Sequence, residues 1–263
     1  MSHEVYQHKK MMKYIDGKFI NVEDSIANEF PLTLYVNKEE FATIVCTPKY
    51  LRELTMGFLA SEGVIRKHSD IKNFHLDDSK GLCHIELAHE VDTTQSQFTK
   101  RMISSCCGKS RQFYFVNDMK TSKVATTTRS IKPDEIFHLM HTMQSQSTDF
   151  KVTGGLHNAA LSDGQDFYLH RNDIGRHNAL DKLYGHCILN NISIKDKILI
   201  FSGRISSEIL IKASKIGVGI ILSKSAPTDL AIGLAEDLNI TAVGFVRNDT
   251  FNVYSHPERI ITE

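Results

Sequence analysis

Two adjacent cysteines, Cys106 and Cys107, lie in the run Ile-Ser-Ser-Cys-Cys-Gly-Lys-Ser-Arg from Ile103 to Arg111. Small, polar and cationic residues surround them, whereas Cys46 and Cys187 sit in apolar stretches of the kind that bury a thiol. Lys109 and Arg111 favour thiolate over thiol, and the thiolate is the nucleophile. The run predicts reactive sulfur on an exposed, flexible backbone. The plainer alternative is a loop that merely contains two cysteines.

A second kind of chemistry is written in Asn172-Asp-Ile-Gly-Arg-His-Asn-Ala-Leu-Asp-Lys182, between an expected strand and an expected helix. Ligand sites of α/β proteins gather at the carboxyl ends of strands. Gly175 permits close backbone approach, free N–H groups at a helix start attract anions, and Arg176 could bind phosphate bidentately. Asp173, His177 and Asn178 complete the cluster, and simple helix capping is the competing explanation. Ser202-Gly203-Arg204 repeats the pattern after the next strand, and Ser225-Ala-Pro-Thr228 does so a third time without the cation. Thr153-Gly154-Gly155-Leu156-His157 adds a glycine pair and a histidine that could be acid, base, ligand or plain structural hydrogen-bonder. Three such loops at successive strand ends fit one anion-rich ligand crossing the sheet edge.

Several motifs fall short. Gly108-Lys109-Ser110 resembles the end of a phosphate-binding loop, but its first glycine would have to stand at Ile103. His84-Ile85-Glu86 matches half of a zinc-deaminase signature, and no Pro-Cys-x-x-Cys follows. No four-ligand zinc spacing is present.

The elements that must position these residues are legible from periodicity. Leu32, Leu34 and Val36 alternate along a strand, Pro31 to Asn37, which pairs with Glu40 to Cys46. Thr47-Pro48 is expected to cap and open a helix that ends at Gly63, and strands follow at Ile71 to Leu76 and Leu82 to Ala88. Phe113 to Val116 is a short aromatic run. Pro133 starts a helix with Ile136, Leu139, Met140 and Met143 on one face. Strands at Phe167–His170, Ile198–Phe201, Val218–Leu222, Ile240–Val246 and Phe251–Tyr254 alternate with helices at Asn178–Leu189, Ser206–Ile216 and Thr228–Leu238. Strands apolar on both faces predict a mixed or parallel sheet covered on both sides. Residues 1–13 look like a frayed tail, 14–120 an N-terminal lobe containing the cysteine loop, and 121–263 a C-terminal α/β lobe.

The chain of 263 residues carries 31 Lys and Arg against 31 Asp and Glu, so no global field predicts a nucleic-acid or membrane partner. No apolar run approaches the roughly 20 residues that span a bilayer, and the N-terminus lacks the apolar core of a signal peptide. Five cysteines, an odd and modest count, argue for a reducing compartment and a cytoplasmic protein.

Taken in order, these motifs resemble those of the formate dehydrogenase accessory sulfurtransferase family, FdhD/NarQ. The matching segments are Pro31–Asn37, Gly57–Gly63, Ser105-Cys-Cys-Gly-Lys109, Thr153–His157, Asp173–Lys182, Ser202-Gly-Arg204, Ser225–Thr228 and Val243-Gly-Phe-Val-Arg247. The resemblance implies a cytidine-deaminase-like, three-layer α/β core with a mixed sheet, an N-terminal strand-rich lobe, no zinc site and a homodimer. It implies a sulfurtransferase: sulfur taken from a cysteine desulfurase as a cysteine persulfide, then delivered to molybdenum in bis-molybdopterin guanine dinucleotide for formate dehydrogenase, the client. Cys107 is the expected carrier and Cys106 an auxiliary. Cofactor contacts are expected from Phe245, Val246, Arg247, Asn248, Asp249 and Thr250. Gly154, Gly155, His157, Asp173, Arg176, His177, Ser202, Gly203 and Arg204 are the other expected pocket members, with a guanine nucleotide such as GDP as a mimic of the cargo. Many family members carry Cys-Gly-x-Cys-Gly; here the thiols adjoin, which puts a relay between separated thiols in doubt. Two other readings remain: a non-covalent cofactor chaperone, and a redox or metal sensor built on the vicinal thiols.

Overall fold

The computed structural model of the chain describes residues 4–88, 102–103 and 122–262. Cys106, Cys107 and the aromatic run 113–116 lie outside the described residues. The chain opens on a hairpin, β1 (Tyr6–Ile15) antiparallel to β2 (Lys18–Ala27), turned by Asp16-Gly17 at positive φ. The frayed tail expected at residues 1–13 is therefore corrected from Tyr6 onward. Lysines and methionines gave no strand alternation, and the register sets opposite charges across the ladder, Lys9 opposite Asp24 and Lys10 opposite Glu23.

β3 (Phe30–Val36) and β4 (Glu39–Cys46) form the expected pair. With β5 (Ile71–Asp77), β6 (Leu82–Leu87) and β7 (Met102–Ile103) they make a five-stranded sheet, β5-β6-β3-β4-β7. Between β4 and β5 runs α1 (Leu51–Ser61), and Gly63 at φ 77° closes it. Thr47 does not cap this helix. It is fully buried, and both its N–H and its hydroxyl donate to Asp173 Oδ2, at 3.0 and 2.9 Å.

The second half contains α2 (Pro133–Gln146), the short α3 (Thr148–Thr153), and β8 (His157–Ser162) paired with β9 (Phe167–Asp173). Then come α4 (Arg176–Leu189), β10 (Ile198–Phe201), α5 (Ser207–Ile216), β11 (Ile220–Ser223), α6 (Asp229–Asp237), β12 (Thr241–Arg247) and β13 (Thr250–Val253). Their strands form one mixed sheet, β13-β12-β11-β10-β8-β9. β10, β11 and β12 run parallel, while β8 opposes β10 and β13 opposes β12.

Side-chain alternation divides this sheet into two buried faces. Ile198, Ile200, Ile220, Leu222 and Val243 pack with Ile136, Leu139, Met140 and Met143 of α2. Leu199, Phe201, Ile221 and Ala242 join a larger cluster with α1, α4, α5 and the β3–β4 strands. The helical stripe expected on α2 is thus the stripe that is buried. Helices α1 and α4 cross with almost no space between their backbones: a Cβ added at Gly57 would fall 1.8 Å from Asp181 O, and one at Gly185 1.8 Å from Glu53 O. Beside this crossing, Arg171 of β9 clamps Glu53 of α1 through Nε and an Nη, at 2.5 and 2.8 Å, and His186 Nδ1 of α4 lies 2.9 Å from the same carboxylate. Burial alone would raise the Glu53 pKa, but these partners outweigh it and hold it below the ordinary value.

Candidate functional site

The strand directions bring the motif loops to one edge. β8 and β9 are antiparallel, so His157 at the start of β8 pairs with Asp173 at the end of β9. β8 opposes β10, which places Ser202-Gly203-Arg204 beside them. β11 and β12 run with β10 and end nearby, in Lys224-Ser225 and in the turn Phe245–Thr250.

These loops are laced together by hydrogen bonds rather than left free. Ser202 N–H donates to Asn158 O at 3.0 Å, and Asn158 N–H donates to Ser202 Oγ at 2.9 Å. Ser223 Oγ donates to Gly203 O at 2.7 Å, and Ser225 Oγ to Ser202 O at 3.3 Å. A Cβ at Gly203 would approach the Phe201 ring to 3.0 Å and His157 Nδ1 to 3.4 Å, so glycine lets the loop lie against the histidine. A rigid frame of this kind presents its edge without reorganisation.

Two cavities open on this edge. One, of about 450 Å³, is lined by Gly154, Gly155, His157, Asn158 and Ser202 together with Phe150 and Lys151 of α3. The other, of about 680 Å³, is lined by Val246, Arg247 and Asn248 and by His138, His141 and Gln144 of α2. Gln144 and Lys224 line both, so the cavities adjoin. Lys224 supplies the cation that the third loop appeared to lack. The α2 residues escaped sequence reading because that helix was read for its buried stripe; His138, His141 and Gln144 recur every three residues on its flank, and that spacing is the missed signal.

The turn after β12 is strained. Phe245 is an exposed aromatic residue at φ 52°, where the ladder to β13 slips between Gly244 and Arg247, and Asn248 follows at φ 46°. Left-handed backbone is costly for a bulky side chain, and such outliers persist only where surroundings hold them. Here Phe245 N–H donates to Ser225 O at 3.2 Å, and Gly244 allows the approach of Ser225 and Pro227. The Arg247 guanidinium lies 5.5 Å from the Phe245 ring centroid. Asp249 and Thr250 are exposed in the same turn.

The remaining expected site residues divide by orientation. Asp173 points inward with no exposed surface. It accepts from Thr47 N–H and Oγ1, from Gly175 N–H at 2.8 Å and from Asn178 Nδ2 at 2.9 Å, and pairs with Lys182 Nζ at 2.6 Å. It holds the loop and is not among the residues lining either cavity. His177 Nε2 lies 3.0 Å from Glu208 Oε2. Arg204 is exposed beyond the cavity lining.

His157 is half-buried, and its pKa is lowered from the ordinary 6.5, first by burial and then by the nearby Arg176 charge, with Asp173 opposing. The imidazole is thus neutral at pH 7 and can accept a hydrogen bond or a proton. Proton NMR of His157 is expected to show a titration midpoint below 6.5, and Arg176→Ala should move it upward by removing a like charge. A midpoint above 6.5 would contradict this electrostatic account.

Among the described residues, no helix is long and apolar enough to cross a membrane. Comparison with known proteins places the chain among relatives. The sequence profile of the FdhD/NarQ family matches residues 27–261. A protein named sulfur carrier protein FdhD from Staphylococcus aureus strain MRSA252 is 59% identical over 261 residues, covering 99% of this chain and 98% of that one. A protein of the same name from strain JH9 is 58% identical with the same coverage. The crystal structure of a protein described as a formate dehydrogenase accessory protein from Desulfotalea psychrophila superimposes with a TM-score of 0.79. It is 22% identical and covers 98% of this chain and all of that one, a likeness of fold.

Proposed function

Because the chain belongs to the FdhD/NarQ family, we propose that it is a sulfur carrier serving formate dehydrogenase. Cys107, with Cys106 beside it, takes sulfur from a cysteine desulfurase. The thiolate attacks the outer sulfur of the donor's persulfide, the donor S–S bond breaks, and the donor leaves as a thiolate while Cys107 becomes the persulfide. The outer sulfur then passes to the molybdenum of bis-molybdopterin guanine dinucleotide, a substrate of the protein, before or during its insertion into formate dehydrogenase: the Cys107 S–S bond breaks, Cys107 leaves as a thiolate, and the molybdenum supplies the two electrons that take the sulfur to sulfide.

The observation that carries this reading is the pair of adjoining cavities with Lys151, Lys224 and Arg247 on their walls, Gln144 and Lys224 shared between them, and Gly154 and Gly155 lining the smaller one. Cations suit a cargo with pyrophosphate links, and a guanine nucleotide such as GDP is its simplest mimic. Arg176 adds positive field near His157. The mixed sheet between two helical layers supports a cytidine-deaminase-like description of the core. Cys46, Cys83 and Cys187 are buried free thiols, with Cys83 and Cys187 pushed up to about 12 by burial. They are chemically quiet, which leaves Cys106 and Cys107 as the reactive pair and fits work in a reducing cytoplasm.

Peptide mass spectrometry after incubation with a cysteine desulfurase and cysteine is the test. A reductant-labile gain of one sulfur on the peptide containing Cys106 and Cys107, lost when cofactor is added, is expected. Binding of a guanine nucleotide with no sulfur gained by either cysteine would replace the carrier by a non-covalent chaperone.

A further inference from the structure

The His84-Ile85-Glu86 segment, half of a zinc-deaminase signature, plays no part in the cavities at the motif edge. It lies on β6 of the five-stranded sheet, where Cys83, Ile85 and Leu87 are buried and His84 and Glu86 face outward. The register sets His75 of β5 directly opposite His84, and Tyr35 of β3 beside it on the other side. Three rings thus stand in one row on the outer face. The Tyr35 and His84 rings stack with centroids 4.8 Å apart and planes 17° from parallel, so Tyr35 supports His84 from the β3 side. His75 stands on the β5 side, and a cavity of about 960 Å³ is lined by both histidines. None of its lining residues lines either cavity at the motif edge.

Both imidazoles are exposed, and among the described residues neither makes a hydrogen bond or an ion pair. Directly opposed residues of an antiparallel pair hold their Cβ atoms about 4.5–5.5 Å apart. Rotation about the side-chain bonds then brings a nitrogen of each ring to about 2.0–2.1 Å from one shared ion, the Zn–N distance. Imidazole suits zinc, copper and nickel. Ordering two exposed side chains costs conformational entropy, and the Tyr35 stack already orders one of them. Glu86 follows on the same face. It accepts from Lys72 Nζ at 2.6 Å and from Asn73 Nδ2 at 2.5 Å, so it offsets the lysine charge beside the pair. Among the described residues, no group of three or more His, Cys, Asp or Glu could hold an ion. The two histidines are therefore the protein's contribution, and the remaining coordination positions fall to water.

We propose that His75 and His84 form a surface site for a divalent transition-metal ion, which staples β5 to β6 across the sheet edge. β5 is outermost in its sheet, so a bond across this pair secures the strand with a neighbour on one side alone. An ion that binds only the paired strands stabilises them by mass action. The test takes Zn2+ as the probe and the full chain with Cys106 and Cys107 changed to Ser, so that those thiols do not compete for zinc. NMR of the histidine ring signals follows the addition of Zn2+ at neutral pH. The His75 and His84 signals should move together and saturate at one equivalent, and hydrogen exchange of the β5 amides should slow. His75→Ala should weaken zinc binding at His84 by about tenfold or more, because two ligands on one scaffold act as a chelate. His84→Ala should do the same at His75, with unchanged circular dichroism in both variants. Signals that titrate independently, zinc taken up only by other histidines, unchanged affinity at His84 in His75→Ala, or β5 exchange that zinc leaves unaltered would overturn the proposal.

Discussion

Gly57→Ala is expected to lower the free energy of unfolding by about 3 kcal/mol or more, although alanine is the better helix former by about 1 kcal/mol. The added methyl has nowhere to go. It would sit 1.8 Å from the Asp181 carbonyl oxygen and 2.6 Å from its carbon, and both atoms belong to the backbone of α4. Gly185→Ala meets the mirror problem against Glu53 O. Relief requires the two helices to separate, and α1 lies in the cluster that joins the β3–β4 strands to the second sheet. Gly233 supplies the internal control, because it stands in α6 with no atom within 4 Å of an added Cβ. Gly233→Ala should therefore stabilise, by up to about 1 kcal/mol. Urea titration of the three variants checks the opposite signs. If Gly57→Ala were neutral, α1 and α4 could not be packed as closely as described.

Gly57 also illustrates what a sequence can and cannot carry. Period and punctuation placed most elements of the second half, because apolar strands and glycine-stopped helices are local signals: Gly217 ends α5 at φ 103°, as its position implied. That the Ser202 and Ser225 loops share one edge was also legible, since loops following parallel strands end together; His157, at the start of the antiparallel β8, and Arg247 were placed with them only through the family resemblance. The choice of partners was not. Thr47 before a proline looks like a cap, yet the hydroxyl is used 126 positions away on Asp173. Asp173, in a glycine-containing loop before a helix, looks like a ligand contact until Lys182, nine residues later and one side of the helix inward, is seen to neutralise it. Lys151 and His141 reach the cavities from a layer that no periodicity relates to the strand ends. Such assignments depend on which faces meet, a tertiary fact.

The Asp173–Lys182 knot carries the second large effect. Asp173→Ala is expected to cost about 3–5 kcal/mol, the penalty for leaving a buried charge without its partner. Lys182 Nζ would retain Thr47 Oγ1 at 2.7 Å and Asn172 O at 3.1 Å, both neutral. The N–H groups of Thr47 and Gly175 and the Asn178 amide would lose their acceptor as well. Lys182→Met should cost less, because the carboxylate keeps those three donors and the Thr47 hydroxyl. The double variant should fall well short of the sum, since its second substitution removes the charge that the first left unpaired. Chemical denaturation of all three closes this cycle, and strict additivity would show that the pair is not coupled. The consequence reaches the cavity. Asp173 fixes Gly175 and Asn178 on either side of Arg176, so loosening them frees the cation that depresses His157. Lys182→Met, the milder variant, should remain folded, keep those contacts and move the His157 midpoint upward, because the Asp173 charge that opposes the depression is left without its cation. The buried pair is thus where stability and the poise of the site are set by the same atoms.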